Sequence, residues 1–279
     1  MSLIYCCLIV IIAILIYIPK YNYNLEIITY PQYHLFKNTT KFYIIANISN
    51  NNVTNAIDKM SKTLLNGYSL KNNIPHITLL QFEISANHHQ AYKFVDIKFH
   101  KKISEIYKQT IKNKKLILKS LKNEYDLMGE TENKFYVKLF EQNDKMIINN
   151  FKKMFYECVK THIGMITCIQ KKVFNNKMYY VFRVNNHDLF AIRNYYFNTW
   201  NPHLSIVNID NMKMHNNRIY QKYHNMHNKT DQLKMLMSEI NNKKCGLVSD
   251  INMEKHINEI VISLKNQLTN TNIQNKIIV

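Results

Sequence analysis

Residues 74–84 read IPHITLLQFEI, and residues 200–209 read WNPHLSIVNI. Each stretch runs Pro, His, an apolar residue, a hydroxyl, and then further apolar residues. In an extended strand, alternate side chains take opposite faces. The first stretch therefore places His76, Thr78 and Leu80 on one face and Ile77 and Leu79 on the other, and the second places His203, Ser205 and Val207 together. In each, an imidazole and a hydroxyl project from the same face about 7 Å apart along the strand. Two such strands side by side would hold two imidazoles over one small anion.

The chain has 4 Pro and 12 His. Two of those Pro immediately precede His76 and His203, which are the only His followed at the second position by a hydroxyl. Imidazoles titrate near neutrality, so a pair of them can take a proton from an attacking oxygen and give one to a leaving oxygen without a metal or other cofactor. Neighbouring hydroxyls would orient a phosphate and stabilise charge on its non-bridging oxygens. The sequence leaves open which His is the base and which the acid.

The two motifs, one in each half of the chain, resemble those of the 2H (two-histidine) phosphoesterase superfamily, the 2′,3′-cyclic and 2′-5′ phosphodiesterase group that includes viral members. The resemblance spans roughly residues 41–264. It implies an α+β, bilobal fold in which two pseudo-symmetric lobes, about 41–125 and about 130–265, line a central cleft with antiparallel sheets and carry helices outside. It further implies His76 and His203 as the acid/base pair, Thr78 and Ser205 as phosphate ligands, and no metal. The implied substrate is a small nucleotide or oligonucleotide: a 2′-5′ oligoadenylate, a cyclic dinucleotide or a 2′,3′-cyclic phosphate. Removal of a nucleotide second messenger of antiviral signalling would suit such a site. Base-stacking aromatics are expected in a nucleotide cleft, and Tyr43 and Trp200 are the candidates, with Tyr136 beside them.

At 279 residues the chain can bury a substantial core. A formal charge of +18 favours polyanionic partners or an anionic membrane surface, although an Asn-, Ile- and Lys-rich composition from an AT-rich coding sequence accounts for part of it. Only Arg183, Arg193 and Arg218 can offer bidentate forks to phosphate. Cys6, Cys7, Cys158, Cys168 and Cys245 lack paired spacing, so neither a zinc motif nor a disulfide framework follows from them. Residues 3–18, LIYCCLIVIIAILIYI, are uncharged and would span about 24 Å as a helix. With no preceding basic residue and no small-x-small cleavage site, residues 1–20 read as an uncleaved single-pass anchor. Lys20, Lys37 and Lys41 then place the large domain in the cytosol, whereas the sequons at Asn38, Asn47, Asn52 and Asn228 point the other way.

Residues 21–40 read as a juxtamembrane linker and 266–279 as a tail. Between them, KFYIIANI (41–48) is a strand; Val53, Ile57, Met60 and Leu64 mark a helix capped at Asn51 or Asn52 and ended by Gly67. Residues 90–113 read as one amphipathic helix with Tyr92, Val95, Phe99, Ile103 and Ile106 inward and with His88, His89 and His100 at or near its start, a cluster without a completed metal-ligand set. LILKSL (116–121) is a strand. KFYVKLF (134–140) echoes the opening KFY, as a duplicated lobe predicts. A helix over about 145–162 buries Ile147, Phe151, Phe155 and Cys158. ITCIQKKV and MYYVFRV form a hairpin, FAIRNYYF is a short helix or strand, residues 211–243 are helical and polar, and INEIVISL (257–264) is a strand. No stable protein partner is predicted. The alternatives are a membrane-tethered binding or structural protein that retains the fold without activity, and RNA end processing.

Overall fold

The computed structural model describes residues 25–27, 40–69, 75–84, 91, 93–114, 116–120, 124–128, 133–141, 146–163, 166–174, 177–184, 188–193, 200–242 and 250–264. The expected anchor, most of the linker, the tail, and His88 and His89 lie outside them. Among the described residues no helix is long and apolar enough to cross a membrane.

The fold is α+β with mostly antiparallel sheets. In chain order the elements are β1 (Leu25–Ile27), β2 (Thr40–Ile48), α1 (Asn51–Leu64), β3 (His76–Ile84), α2 (Ile97–Thr110), β4 (Ile117–Lys119), β5 (Tyr125–Met128), β6 (Lys134–Lys138) and β7 (Phe140–Glu141). There follow α3 (Met146–Ile163), β8 (Ile166–Phe174), β9 (Lys177–Val184), β10 (Asp188–Arg193), β11 (His203–Asn208), α4 (Ile209–His215), α5 (Asn217–His224), α6 (Lys229–Asn241), β12 (Asp250–Asn252), α7 (Met253–His256) and β13 (Ile257–Leu264). A seven-stranded sheet runs β1-β8-β9-β10-β3-β2-β13; two smaller sheets run β11-β6-β5 and β12-β4-β7. The sheet that carries β3 thus draws β8, β9, β10 and β13 from beyond residue 130, so strand pairing does not divide the chain into 41–125 and 130–265 as expected. β1, within the expected linker, pairs in parallel with β8.

The aromatic spine of the core lies beneath the large sheet. Phe42 stacks on Phe82 at 5.1 Å, and Phe82 meets Phe155 of α3 at 5.4 Å and Phe99 of α2 at 6.5 Å. Offset and edge contacts of this kind add to the burial of apolar area. By contrast α1, although it follows β2 in the chain, packs on β11 and α6. Each motif strand is therefore backed by a helix from the opposite half of the sequence.

Several local expectations change. The N-cap of α1 is Asn50, whose Oδ1 accepts from the backbone N–H of Asn52 at 2.9 Å and of Val53 at 3.3 Å. Past the end of α1 both Asn66 (φ 53°) and Gly67 (φ 82°) take the left-handed conformation that turns the chain. The helix expected over 90–113 is interrupted at Val95–Asp96, where the Asp96 carboxylate caps α2 by accepting from Phe99 N at 2.7 Å. His100, expected at or near the helix start, lies in the first turn of α2 and is buried. Residues 209–241 form three helices joined at Asn216 and Asn225–Asn228. They are not wholly polar, since Ile209, Met212, Ile219, Tyr223, Met235, Leu236 and Ile240 are buried.

Candidate active site

Both motif strands carry a β-bulge at the same place. Ile45 stands opposite Thr78 but Ile44 opposite Leu80, which leaves Leu79 as an extra residue. Likewise Tyr136 stands opposite Ser205 but Phe135 opposite Val207, which leaves Ile206 extra. A bulge inserts one residue and resets the alternation. His76 and Thr78 stay on the half-buried face, Leu79 and Leu80 both turn inward, and Gln81 returns to the face of His76. His203, Ser205, the buried pair Ile206–Val207 and Asn208 repeat the arrangement. This corrects the strict alternation that put Leu80 with His76 and Val207 with His203; an amide occupies each of those positions instead.

The repetition extends to the neighbouring strands. His76 pairs with Asn47, and the next residue, Ile48, donates its N–H to the Pro75 carbonyl at 3.0 Å. His203 pairs with Lys138, and Leu139 donates its N–H to the Pro202 carbonyl at 2.9 Å. Pro has no N–H to give the ladder but keeps its carbonyl, and both motifs use it alike. The register matches Ile45 with Tyr136 and Tyr43 with Lys134, so the echoed KFY triplets are out of step by two residues.

Although β3 and β11 belong to different sheets, their Cα atoms come within 8 Å. The Trp200 indole N–H donates to the Thr78 carbonyl at 3.0 Å, which ties the approach to the second motif onto the first motif at its bulge. Trp200, expected as a stacking surface, is partly buried against the core and its N–H is committed to this strut. Tyr43, the other expected stacking residue, is half-buried opposite Gln81, beyond the bulge from His76.

His203 Nδ1 lies 2.9 Å from the Asn201 carbonyl. A carbonyl only accepts, so neutral His203 carries its proton on Nδ1 and its lone pair on Nε2. Burial pushes the imidazole below its ordinary value; the Asn201 bond opposes this, while the positive charges of His76 and Lys134 add to it. His203 is therefore neutral at neutral pH, and His76 is near enough to act on it electrostatically. The Tyr136 ring meets His203 edge-on at 5.2 Å. Among the described residues neither the Thr78 nor the Ser205 hydroxyl has a hydrogen-bond partner, which leaves both available to a bound oxyanion.

Sequence reasoning missed the network beside His203. The Tyr136 hydroxyl donates to Asp126 Oδ2 at 3.2 Å and is hydrogen-bonded to the Asn201 side chain; burial first, then the Asp126 charge, pushes the phenol up to about 12. Asp126 also pairs with Lys138 at 3.1 Å and with Lys229 of α6 at 2.8 Å. Burial alone would raise this carboxyl, but hydrogen bonds from Lys229, Leu127 N and Lys138 outweigh it and hold it at about 2. One carboxylate against two ammonium groups leaves this side of the site cationic. Ser205, Tyr136 and Asp126 share one row across β11, β6 and β5, a row that only the strand pairing brings together.

No family model matches this chain, and comparison with curated proteins and with solved structures finds no significant match. Among the described residues no three His, Cys, Asp or Glu side chains gather as a metal-ligand set.

Proposed function

We propose that this chain is a two-histidine phosphodiesterase that cleaves 2′-5′-linked or cyclic nucleotides, with a bilobal fold like that of the 2H phosphoesterases. The observation that carries the reading is the doubled motif itself: proline, histidine, hydroxyl and bulge in the same register on two strands that meet. His203 has the features of the general base, being neutral with Nε2 free to accept a proton; His76, as imidazolium, is the general acid. With a 2′,3′-cyclic phosphate, His203 takes a proton from water, the water oxygen bonds to phosphorus, one ring P–O bond breaks, and His76 protonates the departing ribose oxygen. With a 2′-5′ linkage, the neighbouring 3′-hydroxyl gives its proton to His203 and attacks phosphorus, and the 5′-oxygen leaves with the proton of His76. Either way the two histidines finish with exchanged protonation states, and solvent restores them. Thr78 and Ser205 bind non-bridging oxygens, and Lys138 adds positive charge beside them. Residues 3–18 would hold the enzyme at a membrane with this domain in the cytosol.

The test is to incubate the purified full chain, in EDTA, with 2′-5′ oligoadenylate, cyclic dinucleotides and 2′,3′-cyclic nucleotides, beside a His203→Ala protein. Turnover of one class by the native chain and its loss in the variant is the expected result. No turnover of any, or equal turnover by the variant, refutes the reading.

A further inference from the structure

The seven-stranded sheet places three polar side chains in one row across adjacent strands: His76 on β3, Asn47 on β2 and Glu259 on β13. Directly opposed residues of antiparallel strands have Cβ atoms about 5 Å apart and share a face, so Asn47 stands between Glu259 and His76. Asn47 is 2% exposed. Its Nδ2 donates to Glu259 Oε2 at 3.1 Å, and because a carboxylate only accepts, this bond fixes which end of the amide faces Glu259. The Asn47 Oδ1 is thereby turned away from Glu259, and among the described residues this buried atom has no donor. Buried acceptors are nearly always satisfied, so one left open on the row of an imidazole is a place for an N–H donor to arrive.

We propose that Asn47, backed by Glu259, is the positioning residue of His76, its Oδ1 accepting a hydrogen bond from the imidazolium form and so reserving His76 for the acid role. This rests on the proposed two-histidine chemistry. Donation from Nδ2 to a carboxylate makes the amide oxygen a stronger acceptor, as in any polarised hydrogen-bond chain. The corresponding position beside His203 holds Lys138, which is paired with Asp126, and the cation that opposes protonation of His203 is Lys134 of the same strand. The two halves of the site repeat the same backbone but set opposite charges next to their imidazoles. Among the described residues, the charged and titratable groups placed toward His76 include Glu259, through Asn47, and His203 of β11; Lys41 of β2 pairs with Glu83 of β3 at 3.7 Å toward the other end of the strands, and β10 pairs with residues 82–84 of β3.

The experiment follows the imidazole nitrogens of the full chain, labelled with 15N-histidine, through a pH titration, with His76 assigned by loss of its signal in His76→Gln. In the native chain His76 should titrate above His203. Asn47→Leu should lower the His76 midpoint by about one pH unit, a tenfold change in its protonation, and leave His203 where it was. Glu259→Gln, which keeps the shape and should keep the fold if Asn47→Leu does not, should lower it by less. Where a substrate is turned over, the alkaline limb of kcat should move with the His76 midpoint while KM stays unchanged. A His76 midpoint unmoved in Glu259→Gln, or lying below that of His203 in the native chain, overturns the proposal even if the enzyme is active. Absence of turnover with the midpoints as expected refutes the phosphodiesterase reading alone.

Discussion

Replacing Asp126 by Asn removes one negative charge from between Lys138 and Lys229 and changes the side chain little in size. An ordinary aspartate titrates near 3.8, and this one is held at about 2. At 1.36 kcal/mol per unit of pH, the difference corresponds to about 2 kcal/mol of stability, a considerable share of a domain's total. Asp126 is only 19% exposed, so solvent screens little of this. The sign follows from the lowered value: above pH 4 the carboxylate is ionised in both folded and unfolded chains and the full stabilisation is present. Between about 4 and 2 the unfolded chain binds the proton first, and the stabilisation is lost. Urea unfolding of native and Asp126→Asn chains should therefore differ by about 2 kcal/mol at pH 7 and converge as the pH falls toward 2, with equal m-values. Equal stabilities at pH 7, or a difference that persists undiminished at the acid end, would refute the assignment of Asp126 as the electrostatic anchor of this sheet.

His76→Ala and His203→Ala should each lower kcat by about 10² to 10⁴, with the double variant little worse than the poorer single one because the pair acts as a unit. Chelator should leave activity unchanged, since both proton transfers belong to side chains; abolition by EDTA with recovery on adding zinc or manganese would refute this. Because His203 is held below the ordinary imidazole value, the acid limb of kcat/KM should fall below pH 6.5, and a limb above 7 would remove His203 from the base role. Trp200→Phe leaves the Thr78 carbonyl without its indole donor and should cost about 1–2 kcal/mol in urea unfolding, with a loss in kcat larger than any rise in KM.

The elements were legible wherever burial has a simple period. The stripe Val53, Ile57, Met60, Leu64 and the run Phe151, Phe155, Cys158 gave α1 and α3 because one helical face meets the core. The motif histidines and hydroxyls were legible for a similar reason: a single residue of strand separates them, and alternation holds over that distance. It failed at Leu79 and Ile206, where two apolar residues in a row mark a bulge that strict alternation takes for a change of face. Pairing partners were not legible at all. Nothing in INEIVISL says that it lies beside residues 42–48, nor in YDLM that its aspartate belongs next to Tyr136, since such contacts are set by tertiary packing rather than by local pattern. The KFY echo misled by two positions because it compares letters, while the sheet compares distances from each proline.

The position of β13 governs when this molecule can become whole. Its partner β2 emerges more than two hundred residues earlier in synthesis and, until residues 257–264 arrive, presents a long apolar edge with one row of amides and carbonyls unpaired. Pairings between such remote segments form slowly, because a large loop must close before any contact rewards it. A nascent chain stopped between β11 and β13 would carry both histidine motifs and still expose a strand that invites pairing with its neighbours. The same arrangement makes the final strand a control point: a peptide copy of β13, supplied during refolding, would compete for the β2 edge and hold the chain in a state that has its sequence motifs but not its finished sheet.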